Sequence, residues 1–148
     1  MSDQLLALYF QIFNEIGILS QLSRAMFEAR LKDGFLMPHF SVLNHLIRVG
    51  DGKPPLNLSR AVQVTKASMT YTLAGLAKAG YIEMLENEKD KRSKLIYITD
   101  AGREFRDAAI RSLAPDIAEI SRHFSVEDAE TILPTLQSLR EILDKMRD

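Results

Sequence analysis

The sequence predicts a mainly α-helical fold with one small β-hairpin. Apolar residues recur at i, i+3 and i+4 along most of the chain, which is the helical period. Between residues 81 and 99 the period drops to two, which is the period of strands. The size and composition, 148 residues with 46% hydrophobic and 26% charged, suit a globular chain of about one domain.

The elements follow in order. Residues 4–31 form a long helix, with Leu5, Leu8, Tyr9, Ile12, Phe13, Ile16, Leu19, Leu22, Met26 and Phe27 at helical spacing. Gly34 signals its end and Pro38 the start of the next element. At 1.5 Å per residue the helix is roughly 40 Å long. A compact globule of this chain length has a similar diameter, so the helix is expected to reach beyond one subunit's core. Residues 38–49 form a second helix, stopped by Gly50-Asp51-Gly52. Pro54-Pro55 opens a third, where a missing N–H costs nothing. Thr65 caps a fourth that runs to about Lys78 and is closed by Gly80. Strands over 81–85 and 94–99 flank a charged loop at 86–93. Thr99 caps a helix over about 100–123, which Pro115 should kink. Ser125-Val126-Glu127-Asp128 starts the last helix in the manner of a capping box, with Asp in place of Glu.

Composition excludes several functions. With no cysteine, disulfides, thiolate nucleophiles and Cys-ligated zinc are ruled out. Seven scattered glycines make no phosphate-binding loop. His39, His45 and His123 are not spaced as metal ligands, so no metal and no cofactor are expected. No nucleophile–base pattern or paired acid motif stands out, so no catalytic residue is assigned and no enzyme is expected. No apolar run approaches a membrane span, and Met1-Ser2-Asp3-Gln4 lacks a basic n-region. A cytoplasmic protein without a membrane partner is the default.

The net charge of −1 hides an asymmetry. Residues 53–95 hold eight bases and four acids, which makes this segment +4 and the remainder −5. A basic middle in an acidic chain points to a local anion-binding surface. The two short helices with a tight corner at Val64-Thr65 read as a helix-turn-helix, whose second helix fits a major groove. Its exposed start is short and polar at Thr65, Lys66, Ser68, Thr70 and Tyr71, and Lys78 ends it. The hairpin that follows reads as a wing carrying Lys89, Asp90, Lys91, Arg92 and Lys94. Asp90 and Arg92, two apart at the tip, are placed to pair. The lysines suit flanking phosphates, and Arg92 suits a narrow minor groove.

These segments resemble the MarR family of winged-helix transcription regulators. The resemblance is carried by His39-Phe40-Ser41-Val42-Leu43, by Leu58-Ser59 through Val64-Thr65-Lys66-Ala67-Ser68-Met69-Thr70, and by Leu76-Ala77-Lys78-Ala79-Gly80-Tyr81-Ile82. The wing residues Asp90-Lys91-Arg92 and the run Leu95-Ile96-Tyr97-Ile98-Thr99-Asp100-Ala101-Gly102 complete it. It covers essentially the whole chain. It implies one domain over 1–148, with a winged-helix lobe at about 38–99 and dimerisation helices at about 4–31 and 100–146. It also implies a homodimer on pseudo-palindromic double-stranded DNA, a recognition helix at about 66–79 and a wing arginine, here Arg92, in the minor groove. A small-molecule pocket is implied between the dimer helices and the DNA-reading lobe. Phe13, His39 and Leu43 are its candidate walls, which suit a small aromatic acid or phenol. The sequence departs from the family pattern at Tyr71, where many members carry Arg, and at Gln63, where the corner is often Gly. The alternative is a winged-helix dimer that binds a protein partner and not DNA.

Overall fold

The structure, a computed structural model, describes residues 2–147. Among them nine elements follow in order: α1 (Asp3–Glu28), α2 (Met37–Val49), α3 (Pro55–Ala61), α4 (Lys66–Lys78), β1 (Ile82–Glu86), β2 (Lys94–Ile98), α5 (Asp100–Arg111), α6 (Ala114–Ile120) and α7 (Val126–Arg147). They fall into two compact units, Met1–Ser112 and Leu113–Asp148.

The core of the first unit gathers Val42, Leu43 and Leu46 of α2, Leu58 of α3, and Met69, Leu73 and Leu76 of α4. Ile82, Ile96 and Ile98 of the hairpin close it. Isolated helices this short are marginal in water. Each buried Leu, Ile or Met contributes about 1.5–3 kcal/mol, so the shared core holds them in place. The hairpin pairs antiparallel with Ile82 opposite Ile98 and Glu86 opposite Lys94.

A third segment braces the hairpin. Gly52 N–H donates to the Ile96 carbonyl at 2.9 Å, and Ile96 N–H donates to the Lys53 carbonyl at 2.9 Å. The Asp51 carboxylate accepts from Ile98 N–H at 2.9 Å. Gly52 has φ +75°, and a Cβ there would lie 3.1 Å from the Tyr97 hydroxyl. The sequence reads Gly50-Asp51-Gly52 only as a stop signal. The structure also uses it as the outer edge of the wing.

The helix boundaries bring two corrections. The first helix ends at Glu28 rather than 31. Its last turn docks on α2, where the Phe27 and Phe40 rings lie 4.4 Å apart and Glu28 accepts the Met37 N–H at 2.8 Å. The expected kinked helix over 100–123 is two helices, α5 and α6, interrupted at Ser112 and Leu113. Pro115 has no N–H to give the Arg111 carbonyl, and its ring crowds that oxygen. Inside α7, Pro134 leaves the Glu130 carbonyl without its helical donor. Ser125 Oγ accepts the Asp128 N–H at 3.0 Å, and its hydroxyl donates to the Asp128 carboxylate at 2.8 Å. The shorter Asp thus closes the cap through the hydroxyl.

No residue of α1 is buried. Leu8, Phe10, Leu19 and Leu22 are more than half exposed. By length and composition alone α1 passes for a membrane span, with a mean hydropathy of 1.3 over 18 residues, which corrects the expectation that none comes near. Its Gln11, Asn14 and Glu15 lie mid-helix, where a bilayer makes polar groups expensive. In the second unit α7 likewise has no buried residue, and Leu133, Leu136, Ile142, Leu143 and Met146 are exposed.

Candidate nucleic-acid interface

The corner between α3 and α4 is built around Gln63, which takes φ +57°. Such a conformation costs a non-glycine residue roughly 1–2 kcal/mol. Gln63 Nε2 donates back to the Arg60 carbonyl at 3.2 Å, and Val64 N–H donates to the Ser59 carbonyl at 3.0 Å. The left-handed corner is kept with glutamine in place of glycine, and α4 leaves it against the core.

Two faces divide α4. Met69, Thr72, Leu73 and Leu76 are buried. Lys66, Ser68, Thr70, Tyr71 and Lys78 are exposed, and Tyr71 is 78% exposed. Thr65 Oγ1 accepts the Ser68 N–H at 3.1 Å and its hydroxyl donates to Ser68 Oγ at 3.0 Å. The Thr70 hydroxyl donates to the Lys66 carbonyl at 2.9 Å. Three of the short polar side chains therefore hold the helix start. Lys66, Tyr71 and Lys78 present their polar ends outward. The N-terminus of α4 itself favours anions through its free N–H groups and dipole.

The wing tip is ordered by its own side chains. Asp90 Oδ1 accepts both Arg92 N–H and Arg92 Nε–H, each at 3.1 Å. The Arg92 side chain remains 93% exposed. Asn87 Oδ1 accepts the Lys89 N–H at 3.1 Å, and Ser93 N–H donates to the Asp90 carbonyl at 3.1 Å. Lys89, Lys91 and Lys94 are exposed on the same short segment. Asp90 aims the arginine, since one carboxylate oxygen binds it at two points.

The candidate ligand residues fall in three different places. Phe13 is exposed on α1. Leu43, expected in the pocket wall, has no exposed surface and lies in the core, because the α2 face it shares with Val42 and Leu46 packs on α3 and α4. His39 lines a groove shared with α4. Its Nδ1 accepts the Leu36 N–H at 3.0 Å, which caps α2. Burial holds its pKa below the usual 6.5, so the ring is neutral at pH 7. A separate cavity of about 240 Å³ lies between the end of α1 and α5, with Arg30, Lys32, Tyr81 and Phe105 among its walls. Tyr81 and Phe105 stack there at 4.5 Å. Arg106 of α5 holds Asn44 Oδ1 of α2 through two N–H donors at 2.8 and 3.1 Å. Sequence reasoning missed this tether, and also Asp51. No local pattern marks a bond between residues 62 or 47 apart. Among the described residues no three His, Asp or Glu side chains gather as a metal site.

Residues 33–93 match the model of the MarR family. The chain is 25% identical over 143 residues to the transcriptional activatory protein BadR of Rhodopseudomonas palustris, covering 95% of this chain and 78% of that one. It is also 25% identical over 144 residues to the HTH-type transcriptional repressor YetL of Bacillus subtilis, covering 97% of this chain and 84% of that one. The structure of reduced AbfR bound to DNA shares the fold, with a TM-score of 0.72 at 19% identity over the full length of both chains. The matched segment spans the helix-turn-helix and the wing tip, both relatives align over nearly the whole chain, and the chain is similar to the MarR family of winged helix-turn-helix transcription regulators.

Proposed function

We propose that this chain is a sequence-specific double-stranded DNA-binding regulator that acts as a homodimer on a pseudo-palindromic operator. The observation that carries the reading is the ordered wing. A 93% exposed arginine is held by Asp90 on a hairpin that directly follows a capped helix with Lys66 at its start. A major groove about 12 Å wide admits one helix, and residues near its N-terminus reach base edges. Lys66, Tyr71 and Lys78 then face the duplex, while Arg92 enters the flanking minor groove, whose negative potential favours it. Lys89, Lys91 and Lys94 contact phosphates. Protein-partner binding has no comparable observation behind it, because the exposed lobe surface is basic where DNA is acidic.

Dimerisation follows from the apolar faces of α1 and α7. Contiguous apolar surface of this extent is rarely left wet, and a two-fold axis buries the same face of both subunits. One relative is named as an activator and the other as a repressor. The sign of regulation then comes from where the operator lies relative to the promoter. A small aromatic effector would shift the spacing of the two DNA lobes. The protein would act in the cytoplasm, where the DNA is. Fluorescence anisotropy with duplexes from the DNA flanking its own gene tests the reading. Preference for one duplex over its scrambled version, weakening steeply with salt, is the expected outcome. Equal and weak binding to both would overturn it.

A further inference from the structure

In an antiparallel pair, every second residue of a strand turns its N–H and C=O away from the partner strand. In β2 those residues are Ile96 and Ile98. The Ile96 N–H donates to the Lys53 carbonyl and the Ile96 carbonyl accepts the Gly52 N–H, so both groups face away from β1. Two residues on, opposite Ile82, the Ile98 N–H faces the same way. Its acceptor is not a carbonyl but the Asp51 carboxylate, at 2.9 Å. Gly50 and Gly52 flank Asp51 with φ +121° and +75°, a region that suits glycine. They turn the chain so that a side chain takes the place of the next ladder bond.

The other oxygen of Asp51 pairs with Arg103 of α5 at 3.6 Å. One carboxylate therefore joins the loop after α2, the base of the wing and the helix that follows it. The pair is partly exposed and adds little stability by itself, but it holds the carboxylate turned toward β2. On the β1 side the Thr99 N–H donates to the Tyr81 carbonyl at 3.1 Å. The base of the hairpin is thus held from both sides, and Asp51 is the side-chain hold on the outer one.

The base matters because the tip is far from it. The five residues of β2, Lys94 to Ile98, span roughly 13 Å between their end Cα atoms, and Arg92 lies beyond them. A tilt of about 10° at Ile98 moves the tip by roughly 2 Å, while a minor groove is only about 6 Å wide. We propose that Asp51 is the positioning residue of the wing: by accepting the Ile98 N–H it sets the tilt of the hairpin and so places Arg92 for the minor groove. The placing of Arg92 on DNA rests on the DNA-binding reading. The tilt does not. The sign of the effect separates this role from simple charge. An acid that only repelled the phosphates would, on removal, leave a chain that binds DNA more tightly. Positioning demands weaker binding.

The test uses the full chain and a duplex from the DNA flanking its own gene. Asp51→Ala should bind about tenfold more weakly, losing the minor-groove footprint beside an intact major-groove one. Asp51→Asn keeps the Oδ1 acceptor and should bind within about threefold of the natural chain. Adding Asp51→Ala to Arg92→Ala should weaken binding no further, because the arginine it misplaces is already gone. Asp51→Glu has the natural charge with its acceptor displaced by one methylene. It should bind more weakly than the natural chain, and it decides the matter if Asp51→Ala does not fold. Equal or tighter binding by Asp51→Ala or by Asp51→Glu, or additive losses in the double variant, overturns the proposal. Without DNA, residual dipolar couplings of the β1 and β2 amides should change relative to those of α4 in Asp51→Ala or Asp51→Glu and not in Asp51→Asn. Unchanged couplings overturn the tilt. A natural chain that binds no duplex, while its variants show this change of couplings, sinks the regulator reading alone.

Discussion

At the scale of single residues, charge and its orientation decide what the surface binds. Arg92 is aimed by Asp90, so removing its guanidinium removes one ordered cation. Arg92→Ala should weaken operator binding roughly tenfold and lower the salt slope by about 1, with an unchanged thermal midpoint. Lys66→Ala should weaken all duplexes alike. Anisotropy titrations at several salt concentrations measure both, and unchanged affinity in Arg92→Ala would remove the wing from the mechanism. His39 yields a pH prediction. Burial lowers its folded pKa below the unfolded value of 6.5. Between the two values the unfolded chain holds more protons, so stability is complete above pH 6.5 and falls as pH drops below it. Asp33 and Lys78 are the other charged groups on that groove. His39→Gln should flatten the fall in urea midpoint below pH 6.5, and an unchanged slope would contradict the assignment. The pairing of Asp90 with Arg92 was legible in the sequence because two residues in a tight turn meet locally. The groove that His39 shares with Gly75 of α4 was not, because it joins residues 36 apart on different helices.

At the scale of elements, local chemistry sets boundaries and tertiary contacts set roles. Thr65, Thr99 and Ser125 were readable as caps, since a cap bonds only three residues ahead. The strands were readable within a residue from their period. The interruption before Pro115 was readable in place but not in degree, because a proline either kinks or ends a helix according to what packs around it. The brace from Asp51 to β2 joins residues 47 apart, which no period marks. Thr65 is both a cap and a candidate DNA contact, and two variants separate those roles. Thr65→Ala should cost about 1 kcal/mol of stability. Thr65→Asp keeps a capping acceptor and a near-native thermal midpoint, yet its charge beside the phosphates should weaken DNA binding. Equal DNA affinity in Thr65→Asp and the natural chain would place the start of α4 away from the duplex.

At the scale of the whole molecule, two long helices carry apolar faces that one subunit leaves exposed. Their length and period were legible, and so was the conclusion that α1 does not lie in a single core. On the proposed reading a second copy of the chain covers them. Deleting residues 136–148 removes Leu136, Leu139, Ile142, Leu143 and Met146 and should give monomers or aggregates that no longer bind operator. Sedimentation velocity reads this directly, and a truncated chain that stays a DNA-competent dimer would contradict it.

The central claim is that α4 enters the major groove while the wing enters the minor groove beside it, once per subunit. Chemical footprinting of an operator, with probes specific for each groove, measures this most directly. The account predicts two major-groove protections about one helical turn apart, each flanked outward by a minor-groove protection that disappears in Arg92→Ala. Protection of one groove only, or a footprint that Arg92→Ala leaves unchanged, would contradict it.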